Sequence, residues 1–291
     1  MRATHPSVNR GANAVHRCAI LLVILALAVI ITGAFSTSAE IAARQSHAPA
    51  SVAIDEILHR ALGIALIVFT LGIGIWLLLT PASGWLRALA WIGFAMLGMD
   101  AALGWATAPL PPAIGVFHAL LAHLFLALMV VVAVGTSSGW NREPVIVDGS
   151  ERPLLRPAAA ATPPVVFLQI ALGAAYRHDV TGVMPHIAVA MGVAFLALIV
   201  CSVVLQNFPE PKSMRRAAVA LIAIVLTQVC LGIAAFVMLL LNFTASLVFV
   251  PVTVGHVTVG AATLAASVVM AIEVRRHVSN EVPGSGDQRV A

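Results

Sequence analysis

Residues 112–134 have the sequence PAIGVFHALLAHLFLALMVVVAV, which contains no acidic residue, lysine or arginine. A helix needs about 20 apolar residues to cross the hydrocarbon core of a membrane, so this stretch is long enough for one span. Seven other runs are similarly apolar: 18–35, 57–79, 88–108, 158–176, 183–205, 217–241 and 247–272. We therefore predict an all-α integral membrane protein with eight transmembrane helices.

The composition agrees with a membrane protein and argues against several other classes. Apolar residues make up 60% of the chain and charged residues 10%, whereas soluble domains carry about 25% charged residues and disordered chains are poor in apolar residues. The net charge of +4 is small and scattered, which argues against a nucleic-acid partner. All three cysteines lie in apolar runs, so neither a zinc cluster nor a disulfide framework is expected.

The longest polar, proline-rich break divides the chain into two halves. We predict that residues 137–163 are a cytoplasmic linker between a four-helix half at 1–136 and another at 164–277, followed by a disordered tail at 278–291. An even number of spans returns the chain to its starting side, so both halves have the same orientation, as in a parallel repeat. The predicted architecture is a pair of pseudo-symmetric four-helix bundles.

The distribution of positive charge predicts the orientation. With a cytoplasmic N-terminus, 13 of the 16 lysines and arginines lie on the inner side and only 3 on the outer side. Cytoplasmic loops carry an excess of positive residues, so we predict a multi-pass protein of the cell (inner) membrane with both termini in the cytoplasm. Residues 17–39 also resemble a cleavable signal peptide. We expect a retained helix instead, because the repeat described next needs this span.

A short motif recurs in the odd-numbered helices. It reads Asp100-Ala-Ala-Leu-Gly104 in the third, Gln169-Ile-Ala-Leu-Gly173 in the fifth and Gln228-Val-Cys-Leu-Gly232 in the seventh, with a degraded copy ending at Thr32-Gly33 in the first. Small residues let helices approach closely in a bilayer. We interpret the glycines as helix-packing positions and the copies as an internal repeat.

Four histidines occupy matching positions in the even-numbered helices. His59, His118, His186 and His256 lie near the starts of these helices, which all enter from the outer side, so the four imidazoles are predicted at a similar depth. Each half contributes two of them. Ionisable residues within membrane spans are energetically unfavourable and usually functional. Four of the other histidines fall in predicted tails or loops: His5, His16, His47 and His277.

Two histidines on facing helices of an apolar bundle fit a haem. The macrocycle is apolar and its iron accepts axial histidine, whereas zinc normally takes three or four close protein ligands. A di-iron carboxylate centre needs several converging glutamates, and only Glu56 and Asp100 lie at this depth. The simplest hypothesis is two bis-histidine haems, one in each half.

The ligand from the fourth helix is open to two assignments. His118 and His123 point about 140° apart around the helix, so only one of them can face a given haem. His118 is favoured because its distance from the preceding proline resembles that of His256. At the outer end of the fifth helix, Arg177 and His178 are candidate ligands for a haem propionate, and solvent exposure is the alternative for His178.

One acidic residue distinguishes the first half from the second. Glu56 lies three residues before His59 on the same helical face, and no acid occupies the matching position before His186. We interpret Glu56 as an acid–base group beside the first haem, with stabilisation of the helix dipole as the alternative. Arg60 is a candidate propionate ligand. Asp100 replaces the glutamine of the other motif copies, and its role is left open.

The ordered set of these residues resembles the heme A synthase family over about residues 15–275. The resemblance rests on Glu56-x-x-His59-Arg60, Val116-Phe-His118-Ala-Leu-Leu-Ala122, Leu172-Gly-Ala-Ala-Tyr-Arg177-His178, and His186 with His256. Members of that family are eight-helix membrane proteins built as two four-helix halves. They oxidise a ring methyl of heme O to the formyl group of heme A for cytochrome c oxidase assembly.

The resemblance implies a role for each histidine pair. His59 and His118 would ligate the substrate, heme O, and its product heme A, while His186 and His256 would ligate heme b as an electron carrier. Glu56 matches the acid of the reactive half. Two successive hydroxylations of the methyl and loss of water would give the formyl group, with substrate delivered by the heme O-producing farnesyltransferase. Some members have a cysteine pair in the first outer loop. Residues 36–55 contain no cysteine, so no thiol-linked step is expected there.

A second hypothesis is a non-catalytic dihaem membrane cytochrome that carries electrons or haem. Such a carrier would need both histidine pairs but no acid in one half only. A transporter ranks last, because the predicted spans contain no break at the midplane. The sequence identifies neither the electron donor nor the oxygen source, and it leaves homo-oligomerisation open.

Overall fold

The structure is a computed structural model that describes residues 6–46, 54–80, 83–105, 111–140, 142–243 and 248–280. These residues form eight long helices and one short pair of strands. The helices are α1 (Pro6–Ser46), α2 (Ile54–Leu79), α3 (Gly84–Gly104), α4 (Pro112–Thr136), α5 (Leu155–Arg177), α6 (Met184–Asn207), α7 (Lys212–Leu240) and α8 (Phe249–His277). The strands are β1 (Val147–Asp148) and β2 (Val278–Ser279).

All eight helices in the described ranges are long and apolar enough to cross a membrane. Apolar runs form helices in lipid because the bilayer offers no hydrogen-bond partners, so the backbone must bond within its own segment. Large apolar side chains such as Met191, Phe195 and Leu79 are strongly exposed, which suits a surface that contacts lipid. The prediction of an all-α chain with eight membrane-length helices is confirmed.

The helices pack in two sets of four. Within α1–α4 and within α5–α8, each helix contacts its neighbours in the sequence, and the first helix of the set contacts the last. The two sets meet where α1 and α4 pack against α8 and where α4 packs against α5. Buried apolar side chains fill each set, with Phe125 and Met129 in the first and Met214 and Leu221 in the second.

Arg87 and Arg215 close the preceding helices at matching positions. Arg87, near the start of α3, donates from Nε to the carbonyl of Leu77 at 2.9 Å and from Nη2 to that of Thr80 at 2.9 Å. Arg215, near the start of α7, donates from Nη1 to the carbonyl of Leu205 at 2.7 Å. The last carbonyls of a helix have no partner within it, so each arginine caps the end of the helix before it.

The linker in the structure is shorter than the sequence predicts. α5 begins at Leu155, so the last nine residues of the predicted linker at 137–163 are helical. Pro163 and Pro164 lie inside α5 rather than in the preceding break. Prolines are tolerated within membrane helices when neighbouring groups satisfy the freed backbone, so a proline-rich segment of sequence is not by itself evidence of a break between helices.

The start of the predicted tail is ordered. β2 pairs in parallel with β1, which lies in the linker. The Arg276 guanidinium lies 4.8 Å from the centroid of the Trp140 ring and donates to the carbonyls of Trp140 and Arg142. Residues 281–291 of the predicted tail lie outside the described residues.

Two histidines that the sequence placed in tails or loops belong to helices. His16 lies in α1, and its Nδ1 is 3.0 Å from the carbonyl oxygen of Ala133 on α4. His277 is the last residue of α8, and its Nδ1 is 2.8 Å from the carbonyl oxygen of Val145 in the linker. Both predictions were wrong because α1 and α8 extend beyond their apolar runs.

Candidate functional site

The four histidines near the starts of the even-numbered helices form two pairs. The ring centroids of His59 on α2 and His118 on α4 are 6.0 Å apart, and the ring planes are inclined by 79°. The centroids of His186 on α6 and His256 on α8 are also 6.0 Å apart, with an inclination of 85°. The two pairs therefore have nearly the same geometry in different sets of helices.

Backbone carbonyls of the odd-numbered helices orient three of these imidazoles. Nδ1 of each ring lies 3.0–3.2 Å from one carbonyl oxygen, which pairs His59 with Val29, His118 with Asp100, and His186 with Gln169. A carbonyl oxygen can only accept a hydrogen bond, so Nδ1 of His59 and of His118 is placed to donate its proton; at His186 the Gln169 side-chain amide nitrogen also lies 3.0 Å from Nδ1, so either tautomer can bond there. Where Nδ1 donates, Nε2 keeps its lone pair, which is the state in which an imidazole binds a metal.

A glycine of the preceding odd-numbered helix lies against each of the four rings. A Cβ on any of these glycines would be only 2.9–3.0 Å from Cε1 of the ring; the contacts are Gly33 with His59, Gly104 with His118, Gly173 with His186 and Gly232 with His256. Carbon atoms in favourable contact are about 3.5–4.0 Å apart, so a larger residue would push the ring away. The sequence had indicated helix-packing positions, and the structure places an imidazole against each of them.

The spacing of the motif contains the signal that sequence reasoning did not use. Val29, Asp100 and Gln169 each precede their glycine by four residues, which places the carbonyl and the glycine on one helical face. One turn of helix thus supplies both a hydrogen-bond acceptor and room for the ring. The motif of the odd-numbered helices therefore forms the surface that the histidine ring of the next helix contacts.

The side chains that begin the motif leave buried polar atoms. Oδ1 of Asp100 lies 2.8 Å from Nδ1 of His118, although the N–H of that ring is directed at the carbonyl of Asp100. Nε2 of Gln169 donates to the carbonyl of His186 at 2.8 Å. In the described part of the chain, one side-chain oxygen of Gln169 and one of Gln228 are buried without a hydrogen-bond partner. The two glutamines begin equivalent copies of the motif, so these oxygens occupy equivalent positions.

His256 departs from the pattern of the other three. Its Nδ1 is buried and has no hydrogen-bond partner among the described residues, and Nε2 of Gln228 lies 3.5 Å from its Nε2. Gly232 nevertheless contacts the ring as its counterparts do. The glycine contact is therefore common to all four histidines, and a carbonyl in hydrogen-bond geometry to three, while the backbone of Gln228 still interacts with the His256 ring.

His123 lies in the core of α1–α4 rather than in a histidine pair. It is 5% exposed, and its Nδ1 donates to the carbonyl of Ala119 one turn earlier at 2.7 Å. Of the two candidates on α4, His118 is the one that faces His59.

Glu56 and Arg60 bond to each other at the start of α2. Nη2 of Arg60 is 2.6 Å from Oε1 of Glu56, and the two side chains are 51% and 42% exposed, respectively. Glu56 is thus an accessible carboxylate one turn before His59. Arg60, a candidate propionate ligand in the sequence, is engaged by this carboxylate.

Arg177 and His178 line a cavity beside the first pair rather than the second. The cavity measures about 390 Å³ and borders both His118 and Gly104. Its other walls come from α1, the start of α4 and the residues that end α5. The His178 ring packs against α4, where a Cβ on Gly115 would be 2.5 Å from it. The end of α5 therefore reaches across to the set α1–α4.

The centroid spacing within each pair is compatible with two imidazoles on one metal ion. An imidazole nitrogen binds a metal at about 2.0–2.1 Å, so two rings on opposite sides of one ion have centroids roughly 6 Å apart, as both pairs do. Among the described residues, no group of three or more His, Cys, Asp or Glu side chains converges. Each pair offers two nitrogens, which is the number of axial positions on a haem iron.

No protein-family model matches the chain, and no curated protein matches it. The assignment of a function therefore rests on the residues and their geometry.

Proposed function

We propose that this protein is a heme A synthase-like membrane oxidoreductase that converts heme O to heme A for cytochrome c oxidase assembly. The observation that carries the proposal is the recurrence of one arrangement in both sets of helices. In each set, two imidazoles with centroids 6.0 Å apart pack against glycines of the neighbouring helices. One haem would lie between each pair.

The proposal includes two pseudo-symmetric bundles in one membrane. The two sets have the same order of helix contacts, and Arg87 and Arg215 cap preceding helices in the same way. The positive charge of the loops supports an inner-membrane location with both termini in the cytoplasm.

The two pairs would hold different haems. His59 and His118 would bind heme O as the substrate, and His186 and His256 would hold heme b, which supplies electron transfer when bound. Partners in this scheme are the farnesyltransferase that produces heme O and an electron donor.

Glu56 would exchange protons at the reacting edge of the substrate. It is a carboxylate that water can reach, it lies one turn from His59, and Arg60 holds its Oε1 at 2.6 Å. The matching position before His186 has no acid. This asymmetry supports chemistry in the first half and electron transfer in the second.

Substitution of Glu56 tests the catalytic proposal. We expect Glu56→Ala to bind both haems but to lower heme A formation by about 10²–10⁴-fold, the usual contribution of a positioned acid–base group. Haem extraction and chromatography from a host supplied with heme O measures this. Glu143→Ala, which removes an exposed linker carboxylate, is the control and should leave heme A formation unchanged. Undiminished heme A in Glu56→Ala would defeat the role given to this residue.

A non-catalytic dihaem cytochrome is the second candidate. It is favoured by the near-identity of the two pairs, since a carrier needs two similar sites and no reactive one. Wild-type protein that binds two haems in the same host but forms no heme A would support the carrier and contradict the enzyme.

A further inference from the structure

A carboxylate lies directly against one imidazole of the first histidine pair. Oδ1 of Asp100, on α3, is 2.8 Å from Nδ1 of His118, and the carbonyl oxygen of Asp100 is 3.1 Å from the same nitrogen. The ring N–H thus faces two oxygens of one residue. The Asp100 side chain is only 9% exposed, and charges interact more strongly where water is scarce. The carboxylate is therefore placed to act strongly on this ring.

The hydrogen-bonding partners of the other three rings are neutral. The glutamines that begin two other copies of the motif place side-chain amides beside His186 and His256. Nδ1 of His59 lies beside a backbone carbonyl and a threonine hydroxyl. In the described ranges, none of these three rings forms an ion pair with a carboxylate. The charge beside His118 therefore makes the two pairs unequal, although their centroid spacing is the same.

The longer-range charges act in the same direction. Asp100 has an electrostatic effect on His59 as well as its contact with His118, so its negative charge acts on both rings of the first pair. Arg177 has an electrostatic effect on His256, so a positive charge acts on the second pair. The two pairs thus lie in electric fields of opposite sign.

A carboxylate in contact with a metal-binding imidazole changes the metal that this imidazole holds. Accepting a hydrogen bond from the ring makes the ligand more basic. A negative charge also stabilises oxidised iron relative to reduced iron, because the oxidised form carries one more positive charge. Hydrogen bonds to the ligands and burial are among the features by which a protein sets a haem potential. A haem iron held by His118 would therefore be harder to reduce than one held by a pair without an acid.

We propose that Asp100 is a positioning residue that acts through His118 and lowers the reduction potential of the first-half haem below that of the second-half haem. The inference rests on the proposed function in one respect, namely that a haem lies between the histidines of each pair. It gives a role to the acid that stands where the other copies of the motif have glutamine. The second haem then accepts an electron at a higher potential than the first.

The test measures the reduction potential of each haem in the full-length protein loaded with haem b. Reductive titration with dithionite is followed by the low-spin absorption of bis-histidine haem. Only the first pair is complete in His256→Ala, and only the second in His118→Ala. Adding Asp100→Asn to His256→Ala should favour reduction about tenfold or more, which is an upward shift of about 59 mV for one electron. The same substitution should leave the potential in His118→Ala unchanged.

Two further variants separate the charge of Asp100 from other effects. Asp100→Gln introduces the residue of the other motif copies and should raise the first potential as Asp100→Asn does. Asp148→Asn is the matched control, because it makes the same chemical change at an exposed residue of the linker. It should leave both potentials unchanged. If a single-pair variant fails to fold, a two-component titration of Asp100→Asn in the otherwise wild-type chain replaces it. The lower of the two potentials should then rise toward the higher.

Three results would overturn the inference. An unchanged first potential in Asp100→Asn would show that the carboxylate does not set it, and would leave haem binding and the proposed function intact. Equal shifts in both single-pair backgrounds would show a general effect on the fold. Loss of the low-spin signal in folded Asp100→Asn would show that Asp100 is needed for ligation instead of the potential. Wild-type protein that binds no haem would instead defeat the proposed function, and the inference with it.

Discussion

At the scale of single residues, each imidazole of the two pairs is positioned by a residue that has no side chain. Gly33, Gly104, Gly173 and Gly232 each face the edge of a ring at a distance that excludes a methyl group. Three of the rings also bond to a carbonyl one turn earlier in the same odd-numbered helix. Glycine at these places is a condition for the histidine geometry, since any larger residue would displace the ring.

Gly104→Ala should selectively weaken the haem site of the first half. The new Cβ would be 2.9 Å from Cε1 of His118, and such overpacking costs about 1–3 kcal/mol. Purified protein should therefore approach one haem per chain instead of two, as measured by the pyridine haemochrome assay. Gly98→Ala on the same helix is the control, because a Cβ there meets nothing within 4 Å. Equal haem content in the two variants would contradict the proposed role of Gly104.

The histidines could be identified from the sequence, but the carbonyls and glycines that contact their rings could not be assigned to them. An ionisable residue within an apolar run is conspicuous, and its recurrence in every even-numbered helix gave the two pairs. The spacing of Asp100 and Gly104 shows that they share a helical face, but not which side chain of another helix meets that face. The sequence singles out Arg177 as a candidate propionate ligand, but it does not show the contacts of Arg177 with Ala34 and Ser38, because these residues are on a helix distant in sequence.

At the scale of secondary-structure elements, composition predicted the eight helices well and their ends less well. Apolar length specifies a span, but the helix continues as long as its backbone is bonded. α8 runs on to His277 because Arg276 and His277 bond to the linker. α5 begins early, at Leu155, because Pro163 and Pro164 are accommodated within it.

The linker should be held in place mainly through Arg276. This side chain stacks on Trp140 and donates to two linker carbonyls, contacts that together contribute about 1–3 kcal/mol. We expect Arg276→Ala to be cleaved by chymotrypsin within residues 137–154 at least fivefold faster than wild type, as followed by mass spectrometry of the fragments. Arg275→Ala, which removes the exposed neighbouring charge, should be cleaved at the wild-type rate. Equal rates for both variants would mean that the strand pair and the other contacts of the linker, such as that of His277 with Val145, hold it without Arg276.

At the scale of the whole molecule, a polar bridge joins the two sets of helices beside the candidate sites. Ser38 of α1 accepts from Arg177 of α5 and from Thr253 of α8, and Ser38 itself is 1% exposed. Thr253 precedes His256 by one turn, and Arg177 follows Gly173 by one turn. The bridge therefore lies one helical turn from parts of the second site and borders the cavity of the first. The repeat in the sequence predicts two similar halves, but their relative placement depends on such contacts between distant residues.

Haem content per chain is the most direct test of the account, because the proposed function places one haem between the histidines of each pair. Purified protein supplied with haem should contain two per chain, with the low-spin optical and electron paramagnetic resonance spectra of bis-histidine ligation. His118→Ala and His256→Ala should each lose one bis-histidine signal and keep the other, while His123→Ala should keep both. A wild-type chain with no haem, or signals that survive both ligand substitutions unchanged, would contradict the account.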